Sequence, residues 1–520
     1  MPQYLGLDSS TQSLSALVID TDTGKVVVDK SVNFGERLPQ YQSPKGFLPN
    51  DDASIKHSDP LMWVEALDLL LQELRDAGVD LSKVRGISGA GQQHGSVYLS
   101  KSLDSVGDWS PASPLREQVR PLLSRATSPI WMDSSTTAEC NEIARAMGGD
   151  DKVAAVSGSR ATLRFTGPQI RRFYKTAQAE WQRTAEIHLV SSFIASLLTG
   201  KSAGIDFGDG AGMNLLDLAQ GKWSPALLDA TAPGLGQKLK PAVAANTVVG
   251  EIAGYFVKKF GFAAGTKVVA FTGDNPSSLV GMGASRPGTA VISLGTSDTV
   301  FTAMTAPRTD PQGYGSVFGN PAGGFMSLAC FSNGSLAREE IAKKFGLSWN
   351  DFASAIAEQT KPGNGGNMLL PYFVPEITPR VLKASPRWFG SEAFVAGKDA
   401  AAAARAVVEA QAVSMRLHSE WIGETMKTVL VTGGASRNKG LLRVLADVFQ
   451  AVIMPLAVAN SSALGGALRA AQTVGGGSWD DLFTRFAPPE RDLGVEPNPA
   501  TQSIYKDMAA QFQQRLKEVS

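Results

Sequence analysis

Two stretches of this 520-residue chain resemble each other and together restrict its fold. The first is YLGLDSSTQSLSALVI, from Tyr4, and the second is VISLGTSDTVFTAM, from Val291. Each has an apolar run typical of a buried strand, then a turn rich in Gly, Ser, Thr and Asp, then a second apolar run. We interpret them as two copies of one β-hairpin. Their wide separation indicates a duplicated supersecondary unit rather than a short-period array.

Helical and strand-like segments alternate along the chain beyond the first hairpin, and this alternation predicts an α/β protein. The clearest helix is SDPLMWVEALDLLLQELRDAG, which Ser58 or Asp59 can cap. Pro60 suits its first position, and Gly78 suits the residue after its end. A chain of 520 residues is too long for one hydrophobic core. We therefore expect two domains, residues 1–266 and 267–520.

Composition excludes several classes of protein. Lysine plus arginine and aspartate plus glutamate both number 49, so charge gives no indication of a nucleic-acid or anionic-membrane partner. No apolar run approaches the roughly 20 residues that span a bilayer, and no leader-like segment precedes the first strand. The two cysteines are too few for a disulfide scaffold. We expect a cytoplasmic, enzyme-like protein with neither nucleic acid nor membrane as a partner.

A carboxylate ends a predicted buried strand in KVVAFTGDNPSSLVGM. Asp274 follows the apolar run, and helical spacing begins after Pro276. In one interpretation Asn275 is the N-cap and Pro276 the first helical residue. In the other, Asp274 is a catalytic base, whose pKa the following helix N-terminus would keep low. The motif alone favours capping.

The turns of the two hairpins can offer backbone N–H groups and hydroxyls to a phosphate. The first contains Thr11 and follows Asp8, and the second contains Gly295 and Thr296. Because Asp8 would repel a phosphate, phosphate binding there implies a bridging cation, Mg²⁺. The other interpretation is that each segment is only a turn.

Two further glycine-rich segments have a structural and a functional interpretation. In TGGASRN, Gly433 and Gly434 leave room for a flat nucleoside, or they form a simple turn between strand and helix. In GQQHG, His94 is either a surface residue or part of a polar group that recognises a hydroxylated ligand.

In chain order, GLDSSTQS, GQQHG, WMDSSTTAEC, FTGDNPSS, SLGTSDT and TGGASRN resemble motifs of the FGGY carbohydrate kinases. The resemblance covers nearly the whole chain. It implies a two-domain actin-like, Hsp70-like (ribonuclease H-like) ATPase fold, with an N-terminal sugar domain, a C-terminal nucleotide domain and a cleft between them. The implied activity is transfer of phosphate from ATP to a sugar, with Mg²⁺ as cofactor, by a monomer or homodimer.

The same resemblance implies the sugar and the residues that act on it. GQQHG, WMDSSTTA and FTGDNP are most similar to the branch that converts D-xylulose to D-xylulose 5-phosphate. Asp274 is the implied general base. The implied sugar contacts are His94, Asp133, Arg164, Asp274 and Asn275. The implied ATP contacts are Asp8, Thr11, Gly295, Thr296, Trp349, Gly434, Ala435 and Asn438, with Asp8 also holding Mg²⁺.

One departure from the family affects the expected sugar site. Many members carry an arginine two residues after the aspartate of the WMD segment, and this chain has Ser135 there. Arg164 is the candidate replacement, with Arg160, Arg171 and Arg172 as competitors. The alternatives are a kinase for another ketose or polyol, of ribulokinase or glycerol kinase type, and a non-catalytic sensor of sugar or nucleotide on the same fold.

Overall fold

The computed structural model describes residues 2–518, which form two compact units. The first unit runs to Ser285 and also contains residues 317–325 and 459–487. The second contains residues 286–316 and 326–458 and the chain from Pro488 onwards. The boundary near Ser285 lies later than the expected 266/267, because a strand at Lys267–Val269 and a helix at Asp274–Gly281 both pack in the first unit.

The first unit is built on a seven-stranded sheet. The strands are β1 (Gln3–Ser9), β2 (Ser13–Asp20), β3 (Lys25–Asn33), β4 (Val84–Gly91), β5 (Val248–Glu251), β6 (Lys267–Val269) and β7 (Thr272–Gly273). The first three are antiparallel and form one side of the sheet. On the other side, β4 lies parallel to β1, and β6 and β7 lie parallel to β4. Ser9 and Gly273 both pair with Gly91, so β1, β4 and β7 end side by side.

The second unit repeats this arrangement. Its first two strands are antiparallel and its fourth runs parallel to its first, as in the first unit. This confirms that the two hairpins are copies of one supersecondary unit. The strands are β8 (Thr289–Leu294), β9 (Asp298–Met304), β10 (Phe325–Phe331), β11 (Thr428–Gly433) and β12 (Val452–Pro455). These are five neighbouring strands of a six-stranded sheet, in the order β10-β9-β8-β11-β12.

The helix Pro60–Asp76 begins and ends as its sequence predicts. The Asp59 carboxylate accepts a hydrogen bond from the Leu61 backbone N–H at 2.8 Å, and Pro60 is the first residue. Gly78 has a φ of +81°, the left-handed conformation that suits glycine after a helix end. Its apolar face is fully buried in the core of the first unit.

Two glycines let the helix Asp274–Gly281 lie directly on the helix Ser461–Gly475. A Cβ on Gly281 would overlap the Ser461 carbonyl oxygen, and a Cβ on Gly465 would overlap the Ser277 carbonyl oxygen. Any side chain at either position would therefore push the two helices apart. This contact, together with the packing of the helix Ser461–Gly475 on β1 and β4, places residues 459–487 in the first unit.

The remaining elements complete the two units, and no helix within residues 2–518 is long and apolar enough to cross a membrane. The other helices of the first unit are Phe34–Arg37, Leu115–Val119, Thr137–Met147, Asp150–Ser157, Thr166–Thr176, Gln178–Arg183, Val190–Thr199, Phe207–Gly210, Pro225–Thr231, Gly254–Phe260 and Trp479–Phe486. Those of the second are Ser335–Phe345, Trp349–Ser354, Glu392–Val395, Ala400–Leu417, Lys439–Phe449 and Gln502–Leu516. Short strands lie at His57–Ser58, Ser96–Leu99, Ser128–Pro129, Glu186–Leu189, Ile205–Asp206, Leu216–Asp217, Lys222–Trp223, Ala242–Val243, Ser316–Gly319, Met368–Leu370 and Arg387–Phe389.

Candidate active site

The adjacent ends of β4 and β7 bring Asp274 and Asn275 against Gln93. The Asp274 Oδ1 accepts hydrogen bonds from the Asn275 backbone N–H at 2.8 Å and from Asn275 Nδ2 at 3.1 Å. Asn275 Nδ2 also donates to Gln93 Oε1 at 2.8 Å. Asp274 is therefore held in one orientation by its neighbour, which is itself fixed to the loop after β4.

This geometry shows that the capping interpretation was wrong. The N-cap of the helix Asp274–Gly281 is Gly273, and Asp274 is its first residue. Asn275 is the second residue and Pro276 the third, so neither stands where that interpretation put it. The Asn275 side chain donates hydrogen bonds to Asp274 and Gln93 instead of capping the helix. The side chains of Asp274 and Asn275 can therefore have a role other than starting the helix.

The expected low pKa of Asp274 was also wrong. Burial raises the pKa of this carboxyl to about 6, and hydrogen bonds from backbone N–H groups offset the rise only in part. Desolvation disfavours the charged form more than the helix N-terminus favours it. A carboxylate with a pKa near 6 is a stronger base than an ordinary aspartate, and it remains ionised at neutral pH.

Asp8, at the end of β1, faces Asp274. Burial and then the charge of Asp274 raise the pKa of Asp8 to about 8. Within residues 2–518, Asp8 Oδ1 is buried and has no hydrogen-bond partner. A divalent cation at this oxygen would offset both causes of the raised pKa, so the site fits Mg²⁺.

Thr11 lies in the first hairpin turn, which is tied to the WMD segment. The Trp131 Nε1–H donates to Thr11 Oγ1 at 2.8 Å, and the Trp131 ring is 39% exposed. The Ser10 backbone N–H donates to the Ser13 carbonyl at 2.9 Å and closes the turn. With its oxygen accepting from Trp131, the Thr11 hydroxyl has its proton available for an acceptor such as a phosphate oxygen.

His94 is held in a strained backbone conformation with a fixed tautomer. Its φ is +70°, and its ring stacks on Phe165 with the ring centroids 4.2 Å apart. Nδ1 lies 2.7 Å from the Gly212 carbonyl oxygen, so Nδ1 carries the proton and Nε2 is the acceptor. Burial and the nearby charge of Arg164 lower the pKa of His94 to about 3, so the ring is neutral.

The four candidate arginines differ in their surroundings. Arg171 donates to Glu142 at 2.6 Å, and Arg172 donates to the Ser135 carbonyl at 2.9 Å. Arg164 is the arginine whose charge lowers the pKa of His94. This position supports Arg164 over Arg171 and Arg172 as the sugar contact.

Asp133 is fully buried, and both of its carboxylate oxygens are occupied by protein donors. Oδ1 accepts from the Ser135 hydroxyl at 2.6 Å and from Gln169 Nε2 at 2.7 Å. Oδ2 accepts from the Lys56 backbone N–H at 2.9 Å and lies 3.5 Å from His57 Nε2. The structure therefore gives Asp133 an anchoring role, in which Ser135, the residue that departs from the family pattern, takes part. Its expected sugar contact stays a prediction.

The expected nucleotide residues of the second unit share one cavity of about 900 Å³. Trp349 is 54% exposed, and its ring meets Phe352 edge-on with the centroids 5.6 Å apart. An exposed tryptophan at a cavity wall offers a flat apolar surface to a base. The cavity brings together Gly295, Thr296, Trp349, Gly434, Ala435 and Asn438.

The loop TGGASRN uses its two glycines differently. Gly433 has a φ of +96°, and a Cβ there would meet the Leu294 carbonyl oxygen at 2.2 Å, so the turn itself requires this glycine. A Cβ on Gly434 would have no heavy atom of the described chain within 4 Å. Asn438 caps the helix Lys439–Phe449 by accepting from the Leu441 N–H at 3.1 Å.

A buried ion pair that the sequence analysis missed fixes the second hairpin turn. Arg338 donates to Asp298 through Nη1 at 2.8 Å and Nη2 at 3.1 Å. The Ser335 N–H donates to the Gly295 carbonyl at 2.8 Å, which joins the turn to the start of the helix Ser335–Phe345. Arg338 also lines the 900 Å³ cavity. The only signal in the sequence was the aspartate of SLGTSDT.

Comparison with known proteins identifies the family. Residues 114–281 match the N-terminal domain of the FGGY family of carbohydrate kinases, and residues 290–474 match its C-terminal domain. The chain belongs to the FGGY family of carbohydrate kinases. The two matches meet between 281 and 290, close to the boundary of the two units at Ser285.

Individual FGGY kinases are similar over almost the whole chain. A xylulose kinase of Rattus norvegicus is 40% identical over 524 residues, covering 98% of this chain and 96% of the relative. Xylulose kinase 2 of Arabidopsis thaliana is 41% identical over 485 residues, covering 90% of this chain and 86% of the relative.

Two solved structures share the fold. That of a xylulose kinase from Rhodospirillum rubrum has a TM-score of 0.82 at 22% identity, covering 99% of this chain and 98% of the other. That of a kinase from Brucella ovis has a TM-score of 0.81 at 24% identity, covering 98% of each chain. Together with the repeated sheet order, they confirm the expected α/β actin-like ATPase fold in two domains.

Proposed function

We propose that this FGGY kinase transfers the γ-phosphoryl group of ATP to D-xylulose and forms D-xylulose 5-phosphate. The observation that carries the proposal is the oriented carboxylate of Asp274, whose pKa of about 6 suits a base. The sugar is proposed from the relatives, which are named xylulose kinases and are 40% identical to this chain.

In the proposed reaction, Asp274 accepts the proton of the C5 hydroxyl while the hydroxyl oxygen bonds to the γ-phosphorus. The bond from that phosphorus to the β–γ bridging oxygen breaks, and ADP leaves with its electron pair. Because phosphoryl transfer has a loose transition state, the protein contributes mainly position and charge stabilisation. A base of modest strength is sufficient, since proton transfer can occur late.

The neighbours of Asp274 would orient the ketose. His94 is neutral, so Nε2 can accept a hydrogen bond from a sugar hydroxyl. Arg164 carries a charge beside His94 that can bind a hydroxyl or carbonyl oxygen. Asn275 would hold both Asp274 and the sugar. Asp133 would act through the segment that it anchors, and whether it also contacts the sugar is part of the proposal.

The residues for the nucleotide fall into two sets. In the second unit, the 900 Å³ cavity would bind ATP, with Trp349 against the base and the turn at Gly295 and Thr296 against the phosphates. In the first unit, Thr11 would donate to a phosphate oxygen and Asp8 would hold the Mg²⁺ of MgATP. A bound Mg²⁺ supplies neutralisation of phosphate charge.

A coupled assay of ADP release over D-xylulose, D-ribulose, D-fructose and glycerol tests the proposal. We expect D-xylulose to give the highest kcat/KM. The Asp274→Asn variant serves as a matched control, since it should lower sugar-dependent release about 10²–10⁴-fold while leaving any background ATPase. If D-ribulose or glycerol exceeds D-xylulose tenfold, the sugar assignment is wrong, and if no sugar stimulates ADP release, catalysis itself is refuted.

A further inference from the structure

Two buried side chains beside Asp274 have polar atoms that the described part of the chain leaves without a partner. Asp209 is 0% exposed and Gln93 is 3% exposed. Asp209 Oδ2 accepts from the Ser191 hydroxyl at 2.5 Å, and Gln93 Oε1 accepts from Asn275 Nδ2 at 2.8 Å. Asp209 Oδ1 and Gln93 Nε2 have no hydrogen-bond partner within residues 2–518. Each of these two atoms can therefore take part in one more hydrogen bond.

Both side chains lie against Gly273, the residue before the proposed base. A Cβ at Gly273 would be 2.5 Å from Gln93 Cγ, 3.0 Å from Gln93 Cδ and 3.0 Å from Asp209 Oδ1. Both side chains therefore pack directly on the Gly273 backbone. Glycine at this position allows that close approach, because a Cβ would overlap the Gln93 side chain.

A second glycine borders the same group from the side of His94. A Cβ at Gly212 would be 2.8 Å from His94 Nδ1 and 3.7 Å from Gln93 Nε2. Gln93 Nε2 thus faces Gly212 beside the His94 ring, while Asp209 Oδ1 faces Gly273 beside Asp274. An acceptor and a donor are placed next to the two residues proposed to bind the reacting end of the sugar.

We propose that Asp209 Oδ1 and Gln93 Nε2 form a hydroxyl-binding subsite for the ketose, occupied by the hydroxyl on C4. That hydroxyl would donate to Asp209 Oδ1 and accept from Gln93 Nε2. C4 is assigned because it is bonded to C5, whose hydroxyl Asp274 would deprotonate, and because Asp209 lies against the residue that precedes Asp274. This inference rests on the proposed function and adds a specificity element to it.

The subsite predicts how the kinase treats deoxy sugars. A ketose without the C4 hydroxyl would leave a buried carboxyl oxygen and a buried amide N–H unsatisfied. Each such loss lowers binding about 10-fold or more, so we expect kcat/KM to fall about 10- to 100-fold for 4-deoxy-D-xylulose. A ketose without the C3 hydroxyl tests whether the effect is specific to C4.

The experiment measures kcat/KM for D-xylulose and for its 4-deoxy and 3-deoxy analogues in parent and variants. Asp209→Asn should reduce the 4-deoxy penalty about 10-fold, because only the contact with Gln93 Nε2 then remains, and should leave the 3-deoxy penalty unchanged. Asp206→Asn is the matched control, because Asp206 is equally buried but accepts from the Gly208 and Asp209 N–H groups. It should keep both penalties of the parent.

The possible outcomes separate the two proposals. If the parent does not phosphorylate D-xylulose, the proposed function fails. If it does but shows no 4-deoxy penalty, the subsite alone is refuted. An Asp209→Asn variant with the full 4-deoxy penalty would mean that Asp209 is structural, or that it binds a water molecule. Should Asp209→Asn fail to fold, Gln93→Met takes its place and must show the same reduced 4-deoxy penalty. Variants can be compared in this way because each penalty is the ratio of two kcat/KM values measured with the same variant.

Discussion

Replacing Asp274 by asparagine should make this kinase more stable and nearly inactive. Asparagine keeps the size of the side chain and the Oδ1 acceptor that binds the Asn275 N–H at 2.8 Å. It removes a carboxylate whose pKa burial raises from 3.8 to about 6. Because the ionised form is disfavoured in the folded protein, its removal should raise the free energy of unfolding at pH 7.5. The shift from 3.8 to about 6 corresponds to about 3 kcal/mol as an upper value.

The sign of this effect depends on pH. The folded-state pKa lies above the unfolded one, so the carboxyl favours folding below about pH 4, and this contribution is lost as the pH rises to about 6. The difference in unfolding free energy between variant and parent should therefore grow between pH 4 and 6 and then level off. Asp20→Asn should behave in the opposite way, because backbone hydrogen bonds lower the pKa of Asp20 and its ionised form favours folding at pH 7.5.

The assay combines urea unfolding from pH 4 to 8, without ATP or Mg²⁺, with steady-state kinetics at pH 7.5. If Asp274 is the base, kcat should fall about 10²–10⁴-fold while the KM for ATP stays near that of the parent. A variant that is no more stable than the parent would refute the desolvation argument. Activity within threefold of the parent would refute the general-base role.

Three further predictions concern other parts of the site. Gly434→Leu should raise the KM for ATP more than tenfold with an unchanged melting temperature, because its side chain would enter open cavity space; unchanged ATP kinetics would show that TGGASRN is only a turn. The kcat/KM for the sugar should fall with decreasing pH below about 6 as Asp274 takes up a proton, and a flat profile down to pH 5 would exclude this carboxylate as the base. Arg338→Met should lower the unfolding free energy in urea by about 3–5 kcal/mol, because it leaves Asp298 buried without its cation, and adding Asp298→Leu should restore most of the loss.

The fold could be predicted because its signals are local. The repeated hairpin, the cap at Asp59 and the glycine at position 78 each act within a few residues, and each appears in the structure as expected. The position of the boundary between the units could not be predicted, because the glycine contacts at Gly281 and Gly465 join segments about 180 residues apart. No local pattern indicates that a helix near position 465 belongs with the first hairpin.

The errors at Asp274 have a different origin. Capping and helix-dipole arguments consider only the residues that follow a carboxylate in the chain, and they predicted a cap and a low pKa. The structure places Asp274 beside Gln93 and Asp8, which come from two other strand ends. Burial raises its pKa, and because burial depends on how distant segments pack, it has no signature in the motif itself.

Asp209 lies outside every motif of the sequence that suggested a function. Asp209, the second aspartate of IDFGDGAG, is typical of a turn in the sequence. Only the packing of the chain shows that its Oδ1 lies against Gly273. Burial raises the pKa values of three carboxyl groups, those of Asp8, Asp209 and Asp274. Buried carboxyl groups with raised pKa values are typical of functional sites. Such carboxylate oxygens can bind two kinds of group. One is a sugar hydroxyl that donates a hydrogen bond, and the other is a metal cation that accompanies a nucleotide.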